Sequence, residues 1–139
     1  GRIFYQAIIR ASDDKVCDEE ALSRWIDPTR GFLSPEDFIP TLEEAGLIYK
    51  LDLYVVERVL EKLGKQVEAG IYPVPQSINL SRTDFHQKDM YRVVNDIGMY
   101  PEALLDLLLQ GVGYSDQSVQ LRIYASSVLF DYRLDVLVA

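Results

Sequence analysis

The order of short apolar segments and amphipathic segments is the feature that most constrains this fold. Two β-rich segments come first, at residues 3–9 and about 16–26. After them, patterns typical of helices alternate with runs typical of buried strands, such as 104–109 and 134–138. Because these runs are apolar throughout, they indicate strands that are covered on both faces. The order therefore predicts an α/β fold in which parallel strands are joined by helices.

Local signals place the boundaries of the predicted helices. Ser34 is a suitable N-cap, Pro35 suits the first helical position, and Gly46 marks the end of that helix. The other predicted elements are a helix at 47–65, a strand at 76–81 after the linker 72–75, and helices at roughly 87–97 and 116–130. Together they give one domain over residues 1–139 with the order β-β-α-α-β-α-β-α-β.

The predicted strands are too few for a closed (β/α) barrel. Such a barrel takes eight strands and about 250 residues, whereas this chain has 139 residues and five predicted strands. We therefore predict an incomplete barrel. Its last strand ends at the apolar residues 137–139, and an open strand edge favours pairing with another chain. We expect that the natural protein continues, or that self-association or a protein partner covers this edge.

Charge and cysteine usage exclude several classes of function. The net charge is −8 with an isoelectric point near 4.6, which argues against binding DNA but not against binding a small anion. No segment has the ~20 consecutive apolar residues of a membrane span. Cys17 is the only cysteine, so no disulfide or thiolate metal site is expected. A reducing, cytoplasmic location follows.

The segment 20–25 carries the first candidate site residues. In a strand, alternate side chains share a face, so Glu20 and Arg24 are expected on the same side. A carboxylate is a hard oxygen ligand for Mg²⁺ or Mn²⁺, and an arginine suits a phosphate oxygen. The alternative is that the two residues form a partly buried ion pair with no further role.

Two other strand residues are weaker candidates. Asn79 could offer a carbonyl oxygen to a metal ion, or it could cap the following loop. Gln6 could hydrogen-bond the edge of a planar ligand.

An ordered series of motifs across residues 4–82 makes these residues more informative. Residues 4–8 are similar to the sequence YQPI, residues 20–25 match EALxRW, and residues 79–81 match NLS. In this series the chain resembles the EAL domain family. The resemblance implies a modified TIM barrel whose first strand is antiparallel to the others. It also implies a phosphodiesterase that opens one phosphodiester of cyclic-di-GMP with two divalent metal ions, Mg²⁺ or Mn²⁺.

The resemblance also implies roles for individual residues. Carried over by motif, Glu20 and Asn79 are metal ligands, Arg24 is a phosphate contact, and Gln6 is a ligand contact.

The chain departs from the family pattern in its second half. The stretch 107–112 has no carboxylate where the family has a metal-binding glutamate, and the paired aspartates expected after 134–138 are absent. We therefore expect a cyclic-di-GMP signalling domain that binds metal weakly, if at all, and is catalytically inactive. The alternatives are a non-catalytic cyclic-di-GMP receptor or protein-interaction module, and a phosphodiesterase completed by another chain.

Overall fold

The computed structural model describes residues 2–81, 84, 92, 118–125 and 132–138. Its elements in chain order are β1 (Arg2–Ile9), β2 (Val16–Asp27), β3 (Gly31–Leu33), α1 (Pro35–Glu44), α2 (Ile48–Glu68), β4 (Gln76–Ser81), β5 (Ser118–Ala125) and β6 (Tyr132–Val138). The first two strands, the two helices and β4 confirm the order predicted for the first 81 residues. β3 is an additional short strand, between the second predicted strand and the first predicted helix.

The strands form one mixed sheet in the order β1-β2-β4-β5-β6, with β3 paired to β2. β1 runs antiparallel to β2, and β2 runs parallel to β4. The mixed α/β architecture is therefore confirmed. β1 runs opposite to β2 and β4, but β5 is antiparallel to β4 and so runs in the direction of β1. The prediction that the first strand is antiparallel to the others is therefore wrong for β5. Among the described strands the sheet is open, with β1 at one edge and β6 at the other. The partial barrel itself remains a prediction.

The prediction of a helix at 116–130 is wrong, because β5 occupies 118–125. Apolar and polar residues alternate along β5, which is the period of a strand and not of a helix. β5 is antiparallel to both β4 and β6, so the prediction of parallel strands is also wrong for this part of the sheet. The strand predicted at 134–138 is confirmed within β6. The predicted helix at 87–97 and strand at 104–109 lie outside the described residues, apart from Arg92, which is helical.

Both ends of α1 follow from local sequence. At its start, the backbone N–H and hydroxyl of Ser34 donate to Asp37 Oδ2 at 3.1 and 3.0 Å, and Pro35 occupies the first turn. At its end, Gly46 has a φ of +69°. Its N–H donates to the carbonyl of Glu43, and the N–H of Leu47 donates to that of Leu42. This is a Schellman motif, and it turns the chain into α2.

The described core lies between α2 and one face of the sheet. Val56, Val59 and Leu63 of α2 are fully buried, as are Ile78 of β4 and Ile123 of β5, to within 1%. The three buried residues of α2 lie three and four positions apart, as residues on one face of a helix do. Helix α2 therefore covers this face, which is called here the helix face. The opposite face is called the open face.

Candidate functional site

The β1-β2-β4 register brings the predicted site residues to the open face. Gln6 pairs with Glu20 across β1 and β2, and Glu20 pairs with Ser77 across β2 and β4. Directly paired residues share a face, and so do residues two apart in a strand. By this rule Gln6, Glu20, Arg24 and Asn79 all belong to the open face.

Glu20 and Asn79 form the centre of this arrangement. The Asn79 side-chain Nδ2 donates to Glu20 Oε1 at 2.7 Å. Glu20 is half-buried, whereas Asn79 is exposed. The contact uses the amide N–H of Asn79, so its Oδ1 and the second carboxylate oxygen of Glu20 are acceptors on two residues in contact. Oxygen acceptors of this kind are suited to a hydrogen-bond donor or a cation.

A second, buried contact joins β2 and β4 two residues before the first contact on each strand. The Ser77 hydroxyl lies 3.0 and 3.2 Å from the two carboxylate oxygens of Asp18, and both residues are almost fully buried. Asp18 is two residues before Glu20 and thus shares its face. The sequence analysis missed this residue, although its i, i+2 spacing from Glu20 was a usable signal.

Arg24 does not pair with Glu20. Its Nη1 donates to the carbonyl oxygen of Ser23 at 2.8 Å, while Glu20 accepts from Asn79. The alternative of a self-satisfying Glu20–Arg24 ion pair is therefore not what the structure shows. Arg24 instead lies opposite Arg2 in the β1-β2 register. In the described part of the chain neither arginine forms an ion pair, so two cationic residues occupy paired positions at this end of the strands.

Gln6 is exposed and has no side-chain hydrogen bond among the described residues. Its register position opposite Glu20 places it beside the Glu20–Asn79 contact. It is therefore available to a bound molecule on the open face.

The helix face carries different features. A cavity of about 420 Å³ is lined by residues of β1, β2, α1 and α2, among them Trp25 and Phe38. Lys62 of α2 lies 3.3 Å from Glu19 and 3.5 Å from the ring centroid of Tyr5. Burial and the nearby Glu19 carboxylate raise the pKa of Tyr5. Glu19 and Tyr5 lie on the face opposite Glu20, so this cluster belongs to the packing of α2. Arg2 and Arg24 also line the cavity.

The described residues do not fit a pair of divalent metal ions. Of the predicted metal ligands at the open face, Glu20 supplies one carboxylate and Asn79 one amide oxygen, whereas the Asp18 carboxylate is fully buried and accepts a hydrogen bond from Ser77. Within the described ranges, no group of three or more His, Cys, Asp or Glu side chains is placed to hold a metal ion. Mg²⁺ ions are held mainly by carboxylates, phosphates and water, and one negative charge compensates poorly for two such ions.

Comparison with protein families matches the EAL domain to residues 1–127. The chain belongs to the EAL domain family. This confirms the resemblance that the motifs indicated, over most of the chain. None of the helices within the described residues is long and apolar enough to span a membrane.

Two relatives are much longer than this chain. It is 34% identical over 131 residues to an uncharacterized signaling protein of Caulobacter vibrioides, covering 94% of this chain and 14% of that protein. It is 32% identical over 95 residues to the oxygen sensor protein DosP of Escherichia coli K12, covering 68% and 12%. The chain thus spans about one seventh or less of these relatives.

A solved structure shares the fold. The PaMucR phosphodiesterase in complex with c-di-GMP superposes with a TM-score of 0.63 over 83% of this chain and 54% of that chain, at 19% identity. At this identity the match supports the fold alone, and it agrees with the mixed α/β sheet described above.

Proposed function

We propose that this chain is a cyclic-di-GMP-binding EAL module that has no phosphodiesterase activity of its own. The observation that carries the proposal is the convergence of Gln6, Glu20, Arg24 and Asn79 on the open face, around the 2.7 Å contact between Glu20 and Asn79. Four polar side chains on three adjacent strands form a surface that can recognise a polar ligand.

The charges on this surface favour an anionic ligand. Arg2 and Arg24 are register partners, and like charges opposite each other in a sheet repel. A phosphate between them would remove that repulsion and accept charge-assisted hydrogen bonds. Because the chain as a whole carries a charge of −8, such a site would take a small phosphodiester rather than a long polyanion.

The family supports the identity of the ligand. The structural relative PaMucR is described as a phosphodiesterase in complex with c-di-GMP. In the proposed role Gln6 hydrogen-bonds the ligand, Arg24 contacts phosphate, and Glu20 and Asn79 hold a weakly bound Mg²⁺ or Mn²⁺ ion. A cytoplasmic location is part of the same proposal.

A second candidate is a protein-interaction module. The edge strand β1 exposes three large apolar side chains, with Ile9 60%, Phe4 45% and Ile8 41% exposed, and an open edge can pair with another chain. The third candidate, an enzyme completed by another chain, is less well supported. Added strands would not restore the carboxylate that the stretch 107–112 lacks.

The experiment is a thermal-melt titration of the chain with cyclic-di-GMP, with and without Mg²⁺. At 100 times its Kd a ligand adds about 2.7 kcal/mol to the free energy of unfolding, so binding is expected to raise the melting temperature. Arg24→Gln should reduce this shift. Arg58→Gln is the matched control, because Arg58 pairs with Glu61 on α2 and has the same charge change.

The outcomes separate the candidates. A shift that Arg24→Gln weakens and Arg58→Gln preserves supports binding at the open face. A cooperative melt that cyclic-di-GMP does not move contradicts the proposal and favours the protein-interaction module.

A further inference from the structure

Two buried aspartates meet at the C-terminal end of β4. The backbone N–H of Ser81 lies 3.1 Å from Asp52 Oδ2 and 3.1 Å from Asp84 Oδ2. Asp52 comes from α2 and is 9% exposed, and Asp84 follows β4 and is fully buried. Asp84 reaches back to the amide three residues before it, as the third residue of a helix does in a capping box. Asp52 reaches the same amide from a different element.

Ionisation of both aspartates at once is energetically unfavourable in this arrangement. Within the described residues, the Ser81 N–H is shared by two carboxylates, and Asp84 Oδ1 is buried without a hydrogen-bond partner. Among the described residues no cationic side chain forms an ion pair with either aspartate. Buried carboxylates without a compensating charge take up a proton instead.

A single proton would resolve the conflict. The protonated carboxyl can donate to its neighbour, which accepts from it and from Ser81, and the buried pair then carries one charge instead of two. We propose that Asp52 and Asp84 share one proton, and that this pair fixes the position of the C-terminal end of β4, which carries Asn79. Ser81 is two residues after Asn79, so the two aspartates are positioning residues for the open face.

The surroundings act in the same direction. Burial first, and then the neighbouring Asp52, raise the pKa of Asp84 to about 9. Burial also raises the pKa of Asp52. The charged group that acts on both from α1 is Glu43, and its negative charge raises both pKa values further. The Ser81 amide of β4 acts in the opposite direction, because it stabilises the ionised forms.

The sign of the pH dependence follows. An unfolded aspartate has a pKa of about 3.9, so the unfolded chain loses this proton once the pH rises above that value. The folded chain keeps the proton up to a pH of about 9. The stability contributed by the proton is fully present below about pH 3.9 and is lost as pH rises through this window. The unfolding equilibrium constant should rise by up to about tenfold per pH unit.

The test compares urea unfolding of the 139-residue chain with that of Asp84→Asn, at several values from about pH 5 to 8.5, inside that window. Asparagine has the shape of a protonated aspartate and cannot ionise. The ratio of the two unfolding constants, wild type to variant, should therefore rise with pH by up to about tenfold per unit. This test needs no ligand and is independent of the proposed function.

Asp37→Asn is the matched control. Asp37 also accepts the N–H of the residue three positions earlier, at 3.1 Å, but it is exposed. Because Asp37 is exposed and does not share its hydrogen-bond donor with a second carboxylate, the corresponding ratio should not change with pH. A wild-type to Asp84→Asn ratio that is equally flat overturns the proposal.

Infrared spectroscopy provides a second readout. A protonated carboxylic acid has a C=O stretch distinct from that of a carboxylate, and we expect this band at neutral pH in the wild type and its loss in Asp84→Asn. A folded wild type without the band overturns shared protonation. If both the wild type and Asp84→Asn unfold without cooperativity, the proposed positioning role is overturned, because the pair would then stabilise no folded structure.

Discussion

Asn79 lies against Glu20 as a neutral hydrogen-bond donor, so the residue type at position 79 determines the net charge at this point of the open face. With an amide at 79, the 2.7 Å contact is a charge-assisted hydrogen bond. With a carboxylate there, two negative charges would meet at the same point.

Asn79→Asp is therefore expected to lower stability in the absence of metal ions. Loss of a hydrogen bond to a charged group costs about 1.5–3 kcal/mol, and exposure of the side chain should keep the effect near the lower limit. Mg²⁺ or Mn²⁺ should restore part of the loss, because two adjacent carboxylates are good oxygen ligands for these ions. The measurement is a urea melt in EDTA and in excess metal.

Tyr72→Asp is the control for this prediction. It adds the same charge at a side chain that is 77% exposed, so neither stability nor its response to metal should change appreciably. If Asn79→Asp behaves like this control, the contact between Glu20 and Asn79 has no energetic importance.

At the scale of single residues, the sequence predicted which strands carry polar side chains but not which side chains touch. Alternation along one strand placed Glu20 and Arg24 on one face. The contact with Asn79 depends on the parallel pairing of β2 with β4, which joins residues 59 positions apart. The Asp52–Asp84 pair escaped notice for the same reason, since the two residues belong to different elements.

Among the elements, α1 shows how far local chemistry can define structure. Its N-cap, its proline and its terminal glycine were all recognisable in the sequence, and the structure confirms each of them. β5 shows the opposite case. The sequence predicts a helix here, although apolar and polar residues alternate. The backbone hydrogen bonds of β5 are made with β4 on one side and β6 on the other.

Gly46→Ala should destabilise the chain by about 1–2 kcal/mol, because an L-residue with a Cβ resists the left-handed conformation. Gly46 has a φ of +69°, and an added Cβ would meet no atom of the described residues within 4 Å. The cost is therefore one of backbone conformation and not of a steric clash with neighbours. Urea unfolding of the two proteins measures it.

Gly46→Asn separates this cause from a general loss at the helix end. Asparagine adopts the left-handed conformation more readily than alanine, so its loss should be the smaller of the two. Equal losses for both variants would contradict the conformational explanation.

For the whole molecule, the family and the mixed α/β class could be predicted from ordered motifs and strand–helix alternation. The direction of the later strands could not, because antiparallel and parallel neighbours differ in non-local pairing that no short pattern contains. The described sheet is open, so the barrel that the family resemblance implies depends on residues outside β1 to β6.

The last prediction concerns turnover. Two-metal hydrolysis needs ions that generate a hydroxide and stabilise the charge on the phosphorus oxygens. The predicted metal ligands at the open face are one carboxylate, Glu20, and one amide, Asn79. The Asp18 carboxylate is fully buried, and the stretch 107–112 contains no carboxylate. The 139-residue chain should therefore form no linear dinucleotide from cyclic-di-GMP in Mg²⁺ or Mn²⁺, even under conditions in which cyclic-di-GMP raises its melting temperature. Chromatography of the nucleotides measures this, with PaMucR phosphodiesterase as the positive control. Turnover that EDTA abolishes would contradict this prediction and show that ligands additional to Glu20 and Asn79 complete a working metal site.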